Sequence, residues 1–143
     1  MAFTLYKSPH NGRVPTEPYT ANATVNKGDV VVRTADANFT CDPAPANPST
    51  VLKTLGVAMN TANATETVEV AVPLPGTEWI ADANANSAAS AVGDIYTMTA
   101  GGQIGAGAAA NAGGRVVIKA PWGAAAANKY LVTFTQGLAN ADY

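Results

Sequence analysis

The chain has one cysteine, one histidine and few charges. Cys41 has no second thiol to pair with, so an internal disulfide framework is excluded. A lone thiol suits synthesis in a reducing cytoplasm, where Cys41 acts as a small buried hydrophobe. Only 13% of the 143 residues are Asp, Glu, Lys or Arg, and the formal net charge is −2. With no basic cluster, nucleic acid is not an expected partner. No acidic tail is present either. No apolar run approaches the length of a membrane span, and "MAFTLYKSPHNGR" lacks the apolar core of a signal peptide; neither membrane nor leader is expected.

The remaining catalytic chemistry is equally thin. His10 stands alone in a Pro/Gly-rich segment, and none of the four serines lies in a nucleophile elbow. "GAGAAA" (105–110) satisfies a dinucleotide fingerprint in letters, but no amphipathic helix follows and no acidic residue stands about twenty positions on. "DANANSAASAVG" (82–93) imitates a calcium loop with Asp82, Asn84 and Asn86. Ser87 stands where the turn glycine belongs, and Gly93 where the bidentate glutamate belongs. No cofactor, metal or catalytic set is expected. Glu66, Glu69 and Glu78 read as surface charge.

What is abundant is small: 30 Ala, 16 Thr and 12 Asn. The alanines alternate with Gly, Asn and Pro without the 3.6-residue stripe of a surface helix. They read as tight loops, with one helical turn near Asn86–Val92 and a second at Gly123–Asn128. Strands show as alternation. Val68, Val70 and Val72 share one face; Tyr130, Val132 and Phe134 share another; Val116 and Ile118 alternate with Arg115 and Lys119. Further strands are predicted at Asp29–Thr34, Val51–Met59, Glu78–Ala81 and Asp94–Thr99. "CDPAPANPST" (41–50), with three prolines, reads as a rigid surface loop and not a central strand. The fold expected is all-β: a compact β-sandwich or partly closed β-barrel with extended terminal arms.

Two strands open on Gly-Asp, in "KGDVVV" (Gly28, Asp29) and "AVGDIYTMT" (Gly93, Asp94). Glycine accepts positive φ and aspartate hydrogen-bonds nearby backbone, so both pairs read as turn residues rather than a chemical site.

In order, "KGDVVV", "TLGVAMNTANATETVEVAV", "AVGDIYTMTAGGQI" and "GRVVIKA" span residues 27–120. This order resembles the bacteriophage capsid cement or decoration proteins, small β-barrel structural proteins formerly described as a domain of unknown function. The resemblance implies a homo-oligomer, commonly a trimer, bound to the major capsid protein on the outer surface of an icosahedral head. It also implies manufacture in the host bacterial cytoplasm and no enzymatic activity. It divides the chain into a β-domain at 25–120 flanked by two departures from the pattern. Residues 1–24 read as an extended arm or an edge strand, with Phe3, Leu5, Tyr6 and Tyr19 as candidate capsid contacts. Residues 121–143 read as a strand and tail packed on the same domain. Two other classes compete with a virion protein. One is a surface-binding module, such as a head-fibre base or a glycan-binding β-sandwich using exposed Trp79 and Trp122. The other is an enzyme.

Overall fold

The computed structural model describes residues 3–8, 12–33, 39–44, 54–74, 76–87, 89–96, 98–100, 103–105 and 116–134. The chain is all-β, in two sheets that share a core. Its strands are β1 (Phe3–Lys7), β2 (Thr16–Ala21), β3 (Val30–Arg33), β4 (Thr40–Pro43), β5 (Thr54–Ala58), β6 (Thr67–Ala71), β7 (Glu78–Ala83), β8 (Ile95–Tyr96), β9 (Met98–Ala100), β10 (Gln103–Ile104), β11 (Val116–Pro121) and β12 (Lys129–Phe134). The two alanine-rich stretches each hold a single 3₁₀ turn, at Ala89–Ala91 and Ala125–Ala127. Among the described residues no helix is long and apolar enough to cross a membrane.

Five strands close a barrel in the order β2-β4-β3-β5-β6. Closure comes from antiparallel β2–β6 pairing, with Tyr19 opposite Val68, and from a short parallel β2–β4 pair, Thr20 with Thr40 and Ala21 with Cys41. The other seven strands form an open sheet, β8-β11-β12-β7-β10-β9, with β1 alongside β7. The alternation seen in the sequence sets which faces are buried. Val68 and Val70 point into the barrel; Val116, Ile118, Tyr130 and Val132 point from the open sheet into the common core. That core mixes Val30, Val32, Val57 and Ala71 of the barrel with Phe3, Trp79, Tyr96 and Phe134 of the sheet. Phe3 lies 5.7 Å from Phe134, centroid to centroid, and Trp79 meets Phe134 edge-on at 6.4 Å. Offset aromatic contacts of this kind add to their area burial.

Two expectations need correction. Residues 3–7 and 16–21 are not a free arm. β1 pairs with β7 from Phe3 opposite Ala81 to Lys7 opposite Glu78, and β2 is a wall of the barrel. Both segments are strands: β1 lies on β7, and β2 lies between β4 and β6 rather than at an edge. The proline-rich segment also yields a barrel strand, β4, with β3 on one side and β2 on the other. Proline is tolerated there because β2 pairs only with Thr40 and Cys41. Pro43 lies beyond that pairing, where the strand has β3 as its one neighbour. Pro18 likewise lies on the part of β2 paired only with β6. Residues 45–53 of the predicted loop and strand, most of the Gly105–Ala110 run, and the tail from 135 lie outside the described residues.

Candidate functional site

Both Gly-Asp pairs build the same object. The Asp29 N–H donates to the Asn26 carbonyl (3.0 Å), closing a turn with Gly28 at φ +92. The Gly28 N–H donates to the Ala58 carbonyl (2.8 Å), and the Ala58 N–H donates back to the Asp29 carbonyl (2.8 Å). Two residues thus face one across the ladder. This is a type II turn running into a G1 β-bulge, which requires positive φ at its first position. At the second copy the Asp94 N–H donates to Ala91 (3.0 Å), with Gly93 at φ +89. Gly93 and Asp94 enclose Ile118 through bonds of 2.8 and 3.0 Å.

A third copy carries different letters. The Glu66 N–H donates to Asn63 (3.0 Å), and Thr65 stands at φ +73. The Thr65 N–H donates to the Ala21 carbonyl (2.7 Å), and the Ala21 N–H donates to the Glu66 carbonyl (2.9 Å). The acids also act alike: Asp29 Oδ2 accepts the Asn26 N–H (3.0 Å), and a Glu66 carboxylate oxygen accepts the Asn63 N–H (2.7 Å). Between these two turns, Val25 and Ala62 exchange both backbone bonds at 2.9 Å. Ala21 matches Ala58, Val25 matches Ala62, Asn26 matches Asn63 and Asp29 matches Glu66, all at one constant offset in sequence. The barrel therefore has an internal pseudo-twofold relation, and each half's bulge closes on the other half. Thr65 and Glu66 are not legible as a turn of this kind from a Gly-Asp signature. The shared signal is Asn followed three residues later by an acid, immediately before a strand.

Gly56, in the "LGVA" stretch, was also missed. A Cβ there would lie 1.9 Å from the Ala71 carbonyl oxygen, so only glycine lets β5 approach β6 this closely.

The four candidate capsid contacts separate. Phe3 and Tyr19 are core residues, 3% and 4% exposed, and are corrected from surface to interior. Phe3 points inward because its position on β1 faces the common core. Tyr19 packs in the barrel, and its hydroxyl donates to Glu17 Oε2 (3.1 Å). Leu5 is partly buried against the core. Tyr6 alone is exposed, its ring edge-on to Trp122 at 4.8 Å. Among the described residues, the other exposed large apolar side chains are Phe39 and Val92. A cleft of about 330 Å³ lies between sheet and barrel, lined by Phe3, Leu5, Lys27, Gly28, Met59 and Trp79. The Gly28 carbonyl accepts the Phe3 N–H there (2.9 Å), so the first Gly-Asp turn also ties β1 to the barrel.

Burial raises the Asp29 carboxyl, opposed by the Asn26 N–H it accepts. Burial, and then the neighbouring Asp42, pushes the Cys41 thiol up to about 11, far from a reactive thiolate. Asp82, first in the calcium-like stretch, is ion-paired with Lys129, and Glu78 pairs with Lys119 at 2.7 Å. Among the described residues, no three His, Cys, Asp or Glu side chains converge on a point where a metal could sit.

The fold thus defines an all-β chain made of a closed five-stranded barrel and a seven-stranded sheet with one core. No protein-family model matches the chain, and comparison with curated proteins gives no match.

Proposed function

We propose that this chain is a structural virion protein that binds the outer surface of an icosahedral phage head and stabilises the shell. The observation that carries the reading is where the residues of the resemblance fall. "KGD" and "VGD" form bulged turns, and the glycine of "LGVA" leaves no room for a Cβ against β6. "VEV" and "VVIK" supply a barrel strand and a sheet strand. The residues that carry the resemblance include those that set backbone geometry, as expected where a fold is kept and a surface varies.

The partner in this reading is the major capsid protein of the same phage, and the chain works as a homotrimer. It acts by binding and not by catalysis. Three linked copies turn the second and third contacts into intramolecular events, which multiplies affinity without new chemistry. Binding only the mature shell stabilises that state by mass action. A glycan-binding module draws less support: Trp79 is 1% exposed, and Trp122 offers only a partly covered ring.

The test is co-sedimentation of the purified chain with decoration-free heads of its own phage, with calorimetry of the heads. Saturable binding and a raised head melting temperature are expected; heads that neither bind the chain nor gain stability refute the reading. Light scattering reports the trimer separately, and a single-chain mass at micromolar concentration would refute a preformed one.

A further inference from the structure

We propose that the outer edge of β1, where it opens onto the cleft between sheet and barrel, receives an extended segment of the shell protein as an added strand. The inference rests on the capsid-binding reading above and names the kind of contact through which it works.

The register of the sheet fixes which way the β1 backbone faces. The Asn128 carbonyl accepts the Ala83 N–H at 2.8 Å, and the Lys129 carbonyl accepts the Trp122 N–H at 2.9 Å. Backbone direction alternates along an antiparallel strand. Tyr130 and Val132 therefore turn their N–H and C=O groups to β7, and Ala81 and Trp79, opposite them, turn theirs back. Ile80 faces the other way, toward Thr4 of β1. Phe3 and Leu5, on either side of Thr4, then direct their backbone groups away from β7. The Phe3 N–H agrees with this direction, since it donates to the Gly28 carbonyl on the barrel at 2.9 Å.

Leu5 is the next residue on that edge, about 7 Å further along. Its N–H and C=O point off the ladder, and no described residue bonds to either of them there. Leu5 also lines the cleft of about 330 Å³, together with Ala58, Met59, Trp79 and the exposed Lys27.

An unpaired N–H beside an unpaired C=O on one strand edge is complementary to another backbone in extended form. The Gly28 carbonyl already makes the first rung, so an incoming strand continues a pairing that the chain begins by itself. The cleft supplies selectivity. An apolar side chain of the added strand packs against the partly buried Leu5 and Met59. A carboxylate on it meets Lys27, whose ammonium has no ion pair among the described residues. The occupant is thus an extended polypeptide segment with an apolar residue beside an acidic one.

Leu5→Pro is the decisive variant. It deletes the outward N–H and leaves the β1–β7 bonds through Thr4 in place. Leu5→Ala keeps the N–H and controls for the lost side chain, and Lys27→Glu reverses the charge without touching the core. Melting, light scattering and co-sedimentation on bare heads are measured for each, with hydrogen exchange of the Leu5 amide in the wild type. In the free protein that amide is expected to exchange fast beside a protected Thr4 amide, and to slow at least about tenfold on heads. Leu5→Pro should melt close to Leu5→Ala yet bind heads about tenfold more weakly than it does, the size of one lost backbone bond repeated in each copy. Lys27→Glu should melt as wild type and bind more weakly. If wild type binds heads while its Leu5 amide stays fast, strand addition is refuted and the capsid reading stands. Equal binding by Leu5→Pro and Leu5→Ala refutes it in the same way. If wild type itself does not bind heads, both fall. If Leu5→Pro lowers the mass of the free oligomer, the edge joins copies of this chain and the proposal is overturned.

Discussion

Thr65 occupies the position that its two sister turns give to glycine, so replacing it with glycine should stabilise the protein. The residue is exposed and stands at φ +73. Left-handed backbone costs an L-residue about 1–2 kcal/mol, and β-branching places threonine among the least tolerant. Glycine removes that strain but loses about 0.5–1 kcal/mol more backbone entropy on folding. The difference favours Thr65→Gly by roughly 0.5–1 kcal/mol, or about 2–4 °C in Tm for a chain of this size. Scanning calorimetry or circular dichroism would read it. The reciprocal change, Gly93→Ala, should lower Tm by a similar amount. A Cβ there meets nothing within 4 Å, so only backbone strain is added. A Thr65→Gly protein that melts below wild type would refute the equivalence of the three turns.

Other substitutions probe the same framework. Asp29→Ala removes the carboxylate that accepts the Asn26 N–H and should cost about 0.5–2 kcal/mol. Asp29→Asn keeps an acceptor without the charge. Burial raises the folded Asp29 carboxyl above its ordinary value of 3.8, so its contribution is fully present below that value and is lost as pH rises through the folded one. Asp29→Asn should therefore gain on wild type as pH rises across that window in chemical-denaturation titrations; a constant difference would contradict the assignment. Gly56→Ala drives a Cβ to 1.9 Å from the Ala71 oxygen and should cost about 3 kcal/mol or more, read as a collapse of Tm. A chain lacking residues 1–20 loses β1 and most of β2 and should fail to fold; a cooperative melt from that truncation would mean that these strands are dispensable.

Much of the fold is legible in the sequence wherever a strand has one wet face. Thr67–Ala71 and Lys129–Phe134 alternate in letters as they alternate in burial. The predicted Glu78–Ala81 strand continues to Ala83, and the predicted Asp94–Thr99 strand breaks into Ile95–Tyr96 and Met98–Ala100. The N-terminal strands are obscure for a physical reason. β2 contains Pro18, and its partners β4 and β6 lie far along the chain, so nothing local separates Tyr19 as a core residue from Tyr19 on a tail. The same limit hides β4, whose prolines are harmless only because of where β2 stops pairing. Nothing in the letters separates exposed Tyr6 from buried Phe3 and Tyr19, and the exposure of Phe39 has no signature in the letters around it.

The crossed closure of the bulges bears on how the chain acquires its shape during synthesis. Residues 26–29 leave the ribosome before Ala58 exists to receive them, while Ala21 waits for Thr65 and Glu66. Neither half holds its own latch, so an early fragment has no stable resting state and its strand edges stay unsatisfied. Ordering then waits for the second half and arrives as one late, cooperative event whose rate is governed by distant contacts. In hydrogen-exchange terms, Ala21 and Ala58, placed on different halves, should lose protection together, through one opening of the whole barrel rather than two separate ones.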